Sequence, residues 1–521
     1  MEPQIRTLVD ISSTPAALQG RADIMLEHAR WAATIFQRYD RSATMDIVDA
    51  TAETARDNAQ YYADWAVRET GFGVIAHKKI KNELSACPLV DFYRDQDFVN
   101  ARIDESQKIV EIPRAAGVIF ALTPSTNPIA TLNCKIILAL MTRNAIVISP
   151  HPAAKACCID AANKLTDAAI SAGAPKGTIQ ILEEPTIPLI EAFMASPKTN
   201  VILATGGVSM VRSAYSSSNP AIGVGPGNAP VLVDSSADIS SAAQRIVDSK
   251  SFDNSVLCTS ESVLITLPDV QQQLKLALKS SHAHLCSSEE VDRLRRLLFH
   301  DRGFNVECIG RDAVWIATEC GIRVGGNTKI LVTPIEQIGQ EEPLTTEKLC
   351  PVLAFYIAKN INQAINQAKA VLRLTGAGHS AAIHSRDEQV AMAYASSVEA
   401  YRVVVNGPCS QGAAGFSTNL APAFTVGTGY FGRSTVGENV GPQHLVHWTR
   451  MAYNSDDSEQ FGNYFGLAPS FDGPLPRAPS DGVPGFSSVR PVETHTPAID
   501  DLSRERLRQI ITEELEGLLR K

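Results

Sequence analysis

Short apolar runs alternate with helical segments twice along this chain, and that alternation constrains the fold more than any other feature. AGVIFAL (116–122), AIVIS (145–149), TIQIL (178–182) and NVILAT (200–205) read as strands. The segments between them, about 129–142, 153–172 and 188–195, carry apolar residues at helical spacing. Short apolar strands separated by helices and short loops predict a parallel sheet covered by helices. A second alternation runs from 262 to 407: SVLITL, helices near 270–282 and 289–299, KILVTP, PVLAFYIA, a helix near 360–373, SAAIHS and RVVVNG. With 521 residues, the chain exceeds the roughly 250–300 at which single cores stop growing. Two α/β domains are therefore expected. Ligands of such sheets sit at the carboxyl ends of strands, which singles out SPHPAAKA after AIVIS and TGGVS after NVILA. FDNSVLCTSE (252–261) falls at the junction of the two alternations, and junctions between domains commonly form clefts.

The flanks differ from this pattern. Residues 14–70 read as Ala-rich helices, and IVEIP (109–113) as a strand. Residues 454–497 hold seven of the 29 prolines with many Gly, Ser and Asp, the composition of a flexible linker. TPAIDDLSRERLRQIITEELEGLLRK (496–521) turns helical, with Thr496 as cap, Pro497 in the first turn, and Arg520 and Lys521 at the end. Leu507, Ile511, Leu515 and Leu518 share one face. A helix with an apolar face behind a linker is expected to dock on something else.

Composition narrows the class. A net charge of −9 gives no global support for nucleic acid or an anionic membrane as partner. No apolar run approaches the roughly 20 residues of a membrane span, and MEPQIRTLVDISST lacks the apolar core of a signal peptide. The ten cysteines include no CxxC pair and no zinc spacing; Cys157 and Cys158 are adjacent. They read as reduced thiols of a cytosolic protein, mostly buried. On that reading Cys258 is one more core thiol. A reactive cysteine needs positive potential or a helix N-terminus, and access.

What changes the reading of Cys258 is its company. KSFDNSVLCTSE resembles the nucleophile segment of CoA-acylating aldehyde dehydrogenases, the branch that includes one half of the bifunctional aldehyde–alcohol dehydrogenases and the aldehyde dehydrogenases of bacterial microcompartments. FALTPSTNPIAT (120–131), VISPHPAAKA (147–156), ILATGGVSMVRSAYSSSNPAIGVGPGNAPVLVD (202–234), EKLCPVLAFY (347–356), GAGHSAAIHS (376–385), VNGPCSQGAAG (405–415) and VGENVGPQHLVH (436–447) resemble family segments in family order. The likeness covers roughly 14–453, and no alcohol dehydrogenase half is expected beyond it.

The resemblance implies an aldehyde dehydrogenase-like fold. Residues 1–256 would form N-terminal helices and a Rossmann-like NAD-binding domain, completed by about 420–453, and 257–419 a catalytic domain carrying Cys258. It implies homo-oligomers, dimer or tetramer, through strands near 108–122 and 425–447. It implies Cys258 as nucleophile, Asn127 as oxyanion donor and His379 near the site, assisting the thiol or orienting the cofactor. Ser149, His151 and Pro152 would lie on the adenosine side of NAD, Thr205, Gly206, Gly207 and Val208 near its pyrophosphate, Gly225 against the cofactor, and Glu347 on the nicotinamide ribose. No metal is implied. Where hydrolytic relatives carry a glutamate base, this chain has GVGPGNAP (223–230), without an acid. Water needs a base to attack a thioester, whereas a CoA thiolate needs less help. The expected reaction takes a short aldehyde, NAD and CoA to an acyl-CoA, the alternative being CoA-independent hydrolysis. The 498–521 helix resembles encapsulation peptides, implying a shell protein or cargo as partner and a microcompartment lumen as location.

Overall fold

The first alternation closes as a five-stranded parallel sheet in the order Ile179–Ile181, Ala145–Ser149, Val118–Leu122, Val201–Thr205, Ala221–Val224. The first of these strands in sequence is central. The chain winds outward on one side of it and returns on the other, so the strand order switches between Val118–Leu122 and Val201–Thr205. Carboxyl ends diverge at such a point and leave a crevice. Strands of the type VIFAL and AIVIS are apolar throughout because helices cover both faces; every residue of both is buried. The helix Pro128–Met141 is likewise buried along its whole length. The computed structural model describes residues 14–300, 303–456, 458–469, 473–474 and 476–479.

The second sheet has seven strands, all parallel, in the order Ala283–Leu285, Ile330–Pro334, Val352–Ile357, Glu261–Thr266, Ala229–Val233, Gly378–His384, Ala400–Val405. Elements before residue 256 take part in it. APVLV (229–233) pairs with Glu261–Thr266 and Gly378–His384, and the helix Ile239–Ser251 packs in the same core. The strand Ala229–Val233 and the helix Ile239–Ser251 therefore belong with the second sheet, while Phe252 packs in the core of the first. The helix and the strand on either side of Cys258 are both second-sheet elements.

The two strands expected in 108–122 serve two sheets. Ile109–Ala115 pairs antiparallel with Arg102–Asp104 and Val446–Ala452, while Val118–Leu122 enters the parallel sheet. Gly117 turns the chain between them at φ 113°, and a Cβ there would meet the Asn200 side chain at 2.6 Å. In 425–447 the described structure has one bridge, Val426 to Asn439, before the strand Val446–Ala452 begins.

The N-terminal helical region divides into Pro15–Phe36, Arg41–Asp57 and Ala59–Thr70, followed by Ile75–Leu84 and Cys87–Tyr93. Side chains set the first two starts: Thr14 accepts from Ala17 N at 3.4 Å and Asp40 from Ala43 N at 2.8 Å. All ten cysteines are free thiols, and Cys87 and Cys258 are the two that are not fully buried. No helix among the described residues is long and apolar enough to cross a membrane. The described residues up to 477 form one compact unit. The C-terminal helix expected at 498–521 lies outside the described residues, as does nearly all of 470–497.

Candidate active site

Cys258 lies on the loop between the helix Ile239–Ser251 and the strand Glu261–Thr266. Asp253, Asn254 and Ser255 in this loop take φ of 50°, 51° and 64°. Left-handed backbone costs roughly 1–2 kcal/mol per non-glycine residue, so the surroundings must hold it there. Asp253 is the anchor. Its buried carboxylate accepts from Val74 N at 2.6 Å and Lys78 Nζ at 3.2 Å, and pairs with Lys81. Its own N–H donates to His77 Nδ1 at 2.8 Å, and Asn254 Nδ2 donates to Gly310 O at 2.8 Å. Gly73 permits this approach: at φ 82°, its Cβ would lie 2.1 Å from Asp253 Oδ1.

The Cys258 side chain is half-buried. Burial pushes the thiol up to about 12, the Glu347 carboxylate adds to that, and Arg402 and Lys81 act in the opposite direction. The resting site therefore holds a thiol rather than a thiolate. Gly227 packs directly on this loop: a Cβ there would lie 1.8 Å from Cys258 O. Gly227 N donates to Glu347 Oε1 at 3.0 Å, and burial pushes the Glu347 carboxyl up to about 7. The acid-free segment 223–230 is thus the wall beside the cysteine, and Glu347 is bonded to that wall.

Asn127 caps the buried helix Pro128–Met141. Its Oδ1 accepts from Lys81 Nζ at 2.5 Å. Its Nδ2 lies 3.3 Å from Thr126 Oγ1 and 3.4 Å from Val256 O, two residues before Cys258. Asn127 and the Cys258 loop therefore meet. His379 opens the strand Gly378–His384 and is fully buried. Burial, and then Arg402, push its imidazole down to about 3, so it is neutral at pH 7. A group that binds a proton so weakly is a poor base for a thiol. Its Nδ1 contacts Ser380 Oγ at 2.7 Å, and Nε2 has no hydrogen-bond partner.

The other expected residues gather at the carboxyl edge of the first sheet. Ser149 ends one strand and Thr205 another, and Thr123 follows the central one between them. All three hydroxyls are buried without a hydrogen-bond partner. His151 caps a short turn that begins at Pro152, its Nδ1 accepting from Ala153 N at 3.1 Å. Gly206 and Gly207 turn the chain from Val201–Thr205 into the helix Val208–Ser216, whose first amides are free of side-chain caps. A Cβ on Gly207 or Gly225 would meet no protein atom within 4 Å. The fold itself does not require glycine there. Unpaired hydroxyls, helix amides and glycine-lined space at a topological switch point fit a dinucleotide.

Sequence reasoning missed Thr123, Lys78 and Lys81. The lysines sit in HKKIKNEL, a stretch the sequence reading did not single out; their three-residue spacing, which puts them on one helix face, is the signal that could have found them. His284, Cys286 and Glu290 form a separate group with ligand atoms within 4.8 Å. Its Glu290 closes the capping box of the helix Ser288–Leu298, and His284 contacts that carboxylate at 3.1 Å.

Comparison with known proteins agrees with this geometry. The profile of the aldehyde dehydrogenase family matches residues 3–293. An aldehyde-alcohol dehydrogenase of Clostridium acetobutylicum is 39% identical over 79% of the chain and 47% of that protein. The chain thus spans about half the length of the bifunctional relatives it matches. A succinate-semialdehyde dehydrogenase (acetylating) of Clostridium kluyveri is 33% identical over 84% of this chain and 96% of its own. Among solved structures, an acetylating aldehyde dehydrogenase of Geobacillus thermoglucosidasius superposes with a TM-score of 0.84 at 36% identity, covering 87% of this chain and 100% of that one. A propionaldehyde dehydrogenase of the Clostridium phytofermentans fucose utilisation bacterial microcompartment gives 0.75 at 27% identity, covering 82% and 96%.

Proposed function

The chain belongs to the aldehyde dehydrogenase family, and from that premise we propose that it is a CoA-acylating aldehyde dehydrogenase: aldehyde, CoA and NAD⁺ give acyl-CoA, NADH and a proton. Cys258 Sγ attacks the aldehyde carbon, and the thiol proton leaves the sulfur. Asn127 Nδ2 and the Cys258 backbone N–H donate to the oxygen as it gains charge. Thr123, Ser149, Thr205 and the 205–208 turn would hold NAD, which would supply the hydride acceptor whose reduction leaves an acyl group on Cys258 as a thioester. The CoA thiol displaces Cys258 from that thioester, and the cysteine recovers a proton. His379, neutral and with Nε2 unpartnered, would orient the cofactor once bound rather than take the thiol proton.

One observation carries the acylating reading: the segment packed on Cys258, 223–230, offers glycine and amide where hydrolysis needs a carboxylate. Relatives named as acetylating support it. A second reading has one observation in its favour. Glu347, bonded to Gly227 N and held near 7, is a carboxyl placed to act as base for water. The test is NADH formation from propionaldehyde and NAD⁺ with and without CoA. Sustained turnover only with CoA supports acyl transfer; equal turnover without it overturns acyl transfer in favour of hydrolysis, and Glu347→Gln would then abolish it.

The same reading extends to location. The proline-rich 454–497 segment and the amphipathic 498–521 helix fit a targeting tail that binds a microcompartment shell or its cargo. The likeness to a microcompartment enzyme supports this, and confinement suits a reactive aldehyde. A fluorescent protein fused to 490–521 should concentrate in shells; a diffuse signal would reject the tail as a targeting element. A homo-oligomer built through the antiparallel sheet completes the proposal, to be read from the solution mass.

A further inference from the structure

The helix Ile75–Leu84 touches both halves of the reaction centre, and no role has been given to it above. Lys78 and Lys81 lie on one face of it, three residues apart. Both are buried, at 3% and 1% exposure. A buried ammonium is costly unless each donor is satisfied, and the partners here are specific. Lys78 Nζ donates to Thr126 O at 3.0 Å and to Asp253 at 3.2 Å. Lys81 Nζ donates to Asn127 Oδ1 at 2.5 Å and pairs with the same Asp253 carboxylate. The two lysines therefore stitch the Asn127 turn to the Cys258 loop through one carboxylate, five residues before the cysteine.

An asparagine amide can turn over, presenting either oxygen or nitrogen to a given side. An ammonium has donors and no acceptor. A protonated Lys81 therefore accepts only the orientation with Oδ1 facing it, which turns Nδ2 toward the Cys258 loop. Charge points the same way. The groups facing Lys81 are Asp253, Lys78, His77 and Cys258. Two ammonium groups share one carboxylate, so the cluster lacks a negative charge until one develops at Cys258. Burial and Lys78 hold Lys81 down to about 7 against the pull of Asp253, so a further anion beside it strengthens its hold on the proton.

We propose that Lys81 is a positioning residue for the reaction: it locks the Asn127 carboxamide with Nδ2 toward Cys258 and keeps uncompensated positive charge beside the oxygen that becomes negative. This rests on the reading of Asn127 as oxyanion donor. If Lys81 acts through Asn127, removing either should have the same effect, and removing both no more.

The test is a double-mutant cycle on the first-turnover burst of NADH, using the full chain with propionaldehyde and NAD⁺, and thermal unfolding to verify each variant. Asn127→Ala should slow the burst by about 10²-fold. Lys81→Met should slow it comparably, and the double variant should be within a few-fold of Asn127→Ala alone. Lys81→Gln keeps a donor without the charge and should recover part of the rate; if Lys81→Met does not fold, Lys81→Gln takes its place in the cycle. Multiplying effects would overturn the inference while leaving Asn127 as donor. An unchanged burst in Asn127→Ala would overturn the reading of Asn127, and the inference with it.

Discussion

Around Cys258 the charged side chains are tied down: Asp253 to Val74 N, Lys78 and Lys81, Lys81 to Asn127, Glu347 to Gly227 N. At the carboxyl edge of the first sheet the hydroxyls of Thr123, Ser149 and Thr205 are untied, and Gly207 faces open space. On the proposed reading the two regions line one reaction, yet they are built in opposite ways. The nucleophile side stores strain in three left-handed residues and holds it with buried charge, which fixes donors before charge develops. The dinucleotide side leaves polar atoms unsatisfied, and a ligand that arrives and leaves can satisfy them. Fixed chemistry and exchangeable binding thus divide between the two regions.

The largest effects should come from the fixed side. Cys258→Ala removes the nucleophile, and NADH formation should fall by on the order of 10⁴-fold or more. NAD binding, followed by protein fluorescence quenching, should persist, since the edge at Thr205 is untouched. Asp253→Ala attacks the tie rather than the chemistry. It leaves Lys78 and Lys81 buried without their carboxylate and should destabilise the fold by about 3–5 kcal/mol at pH 7, measured by urea unfolding. Lys81 already sits near 7 through burial, so part of the loss should return above pH 8, where it sheds its proton.

One substitution made in both regions tests the contrast directly. Gly227→Ala puts a Cβ 1.8 Å from Cys258 O, so the nucleophile loop must shift. A displacement of that size should lower kcat by about 10²-fold, with KM for NAD little changed. Gly207→Ala meets no protein atom within 4 Å, at φ −64°. Stability should change by under about 0.5 kcal/mol, and KM for NAD should rise. If Gly227→Ala raised KM and Gly207→Ala lowered kcat, the division between the two sides would be lost.

Much of this was legible in the sequence, for physical reasons. Apolar strands between helices fix a parallel sheet, so the elements from Val118 to Thr205 were anticipated within a few residues. The 205–208 turn was legible because strand, glycines and helix are contiguous. What escaped depended on distant partners. APVLV joins the second sheet because it pairs with strands beginning at 261 and 378, a choice local pattern does not encode. Glu347 meets Gly227 across 120 residues. Lys78 and Lys81 drew no attention because nothing nearby in sequence announces Asp253, more than 170 residues on. The resemblance to a family supplied Asn127 and Cys258; the lysines between them emerged only from the packing.

A further effect concerns His379, which belongs to neither extreme: buried like the fixed side, yet with an unsatisfied Nε2 like the open one. Its folded value near 3 lies below the ordinary 6.5. Between these values the unfolded chain binds a proton that the folded chain refuses, so this group lowers stability as pH falls below 6.5. From pH 7 to pH 5 the loss is about 2 kcal/mol. Glu261 and Glu347, both raised to about 7 by burial, act with the opposite sign over the same range. The whole chain therefore does not reveal the histidine, but a difference does. His379→Asn should make the change in unfolding free energy between pH 7 and pH 5 more favourable than in the parent by about 2 kcal/mol, read from urea curves at both values. No difference would mean that the imidazole takes up a proton in the folded chain, which would return His379 to contention as a base for the thiol.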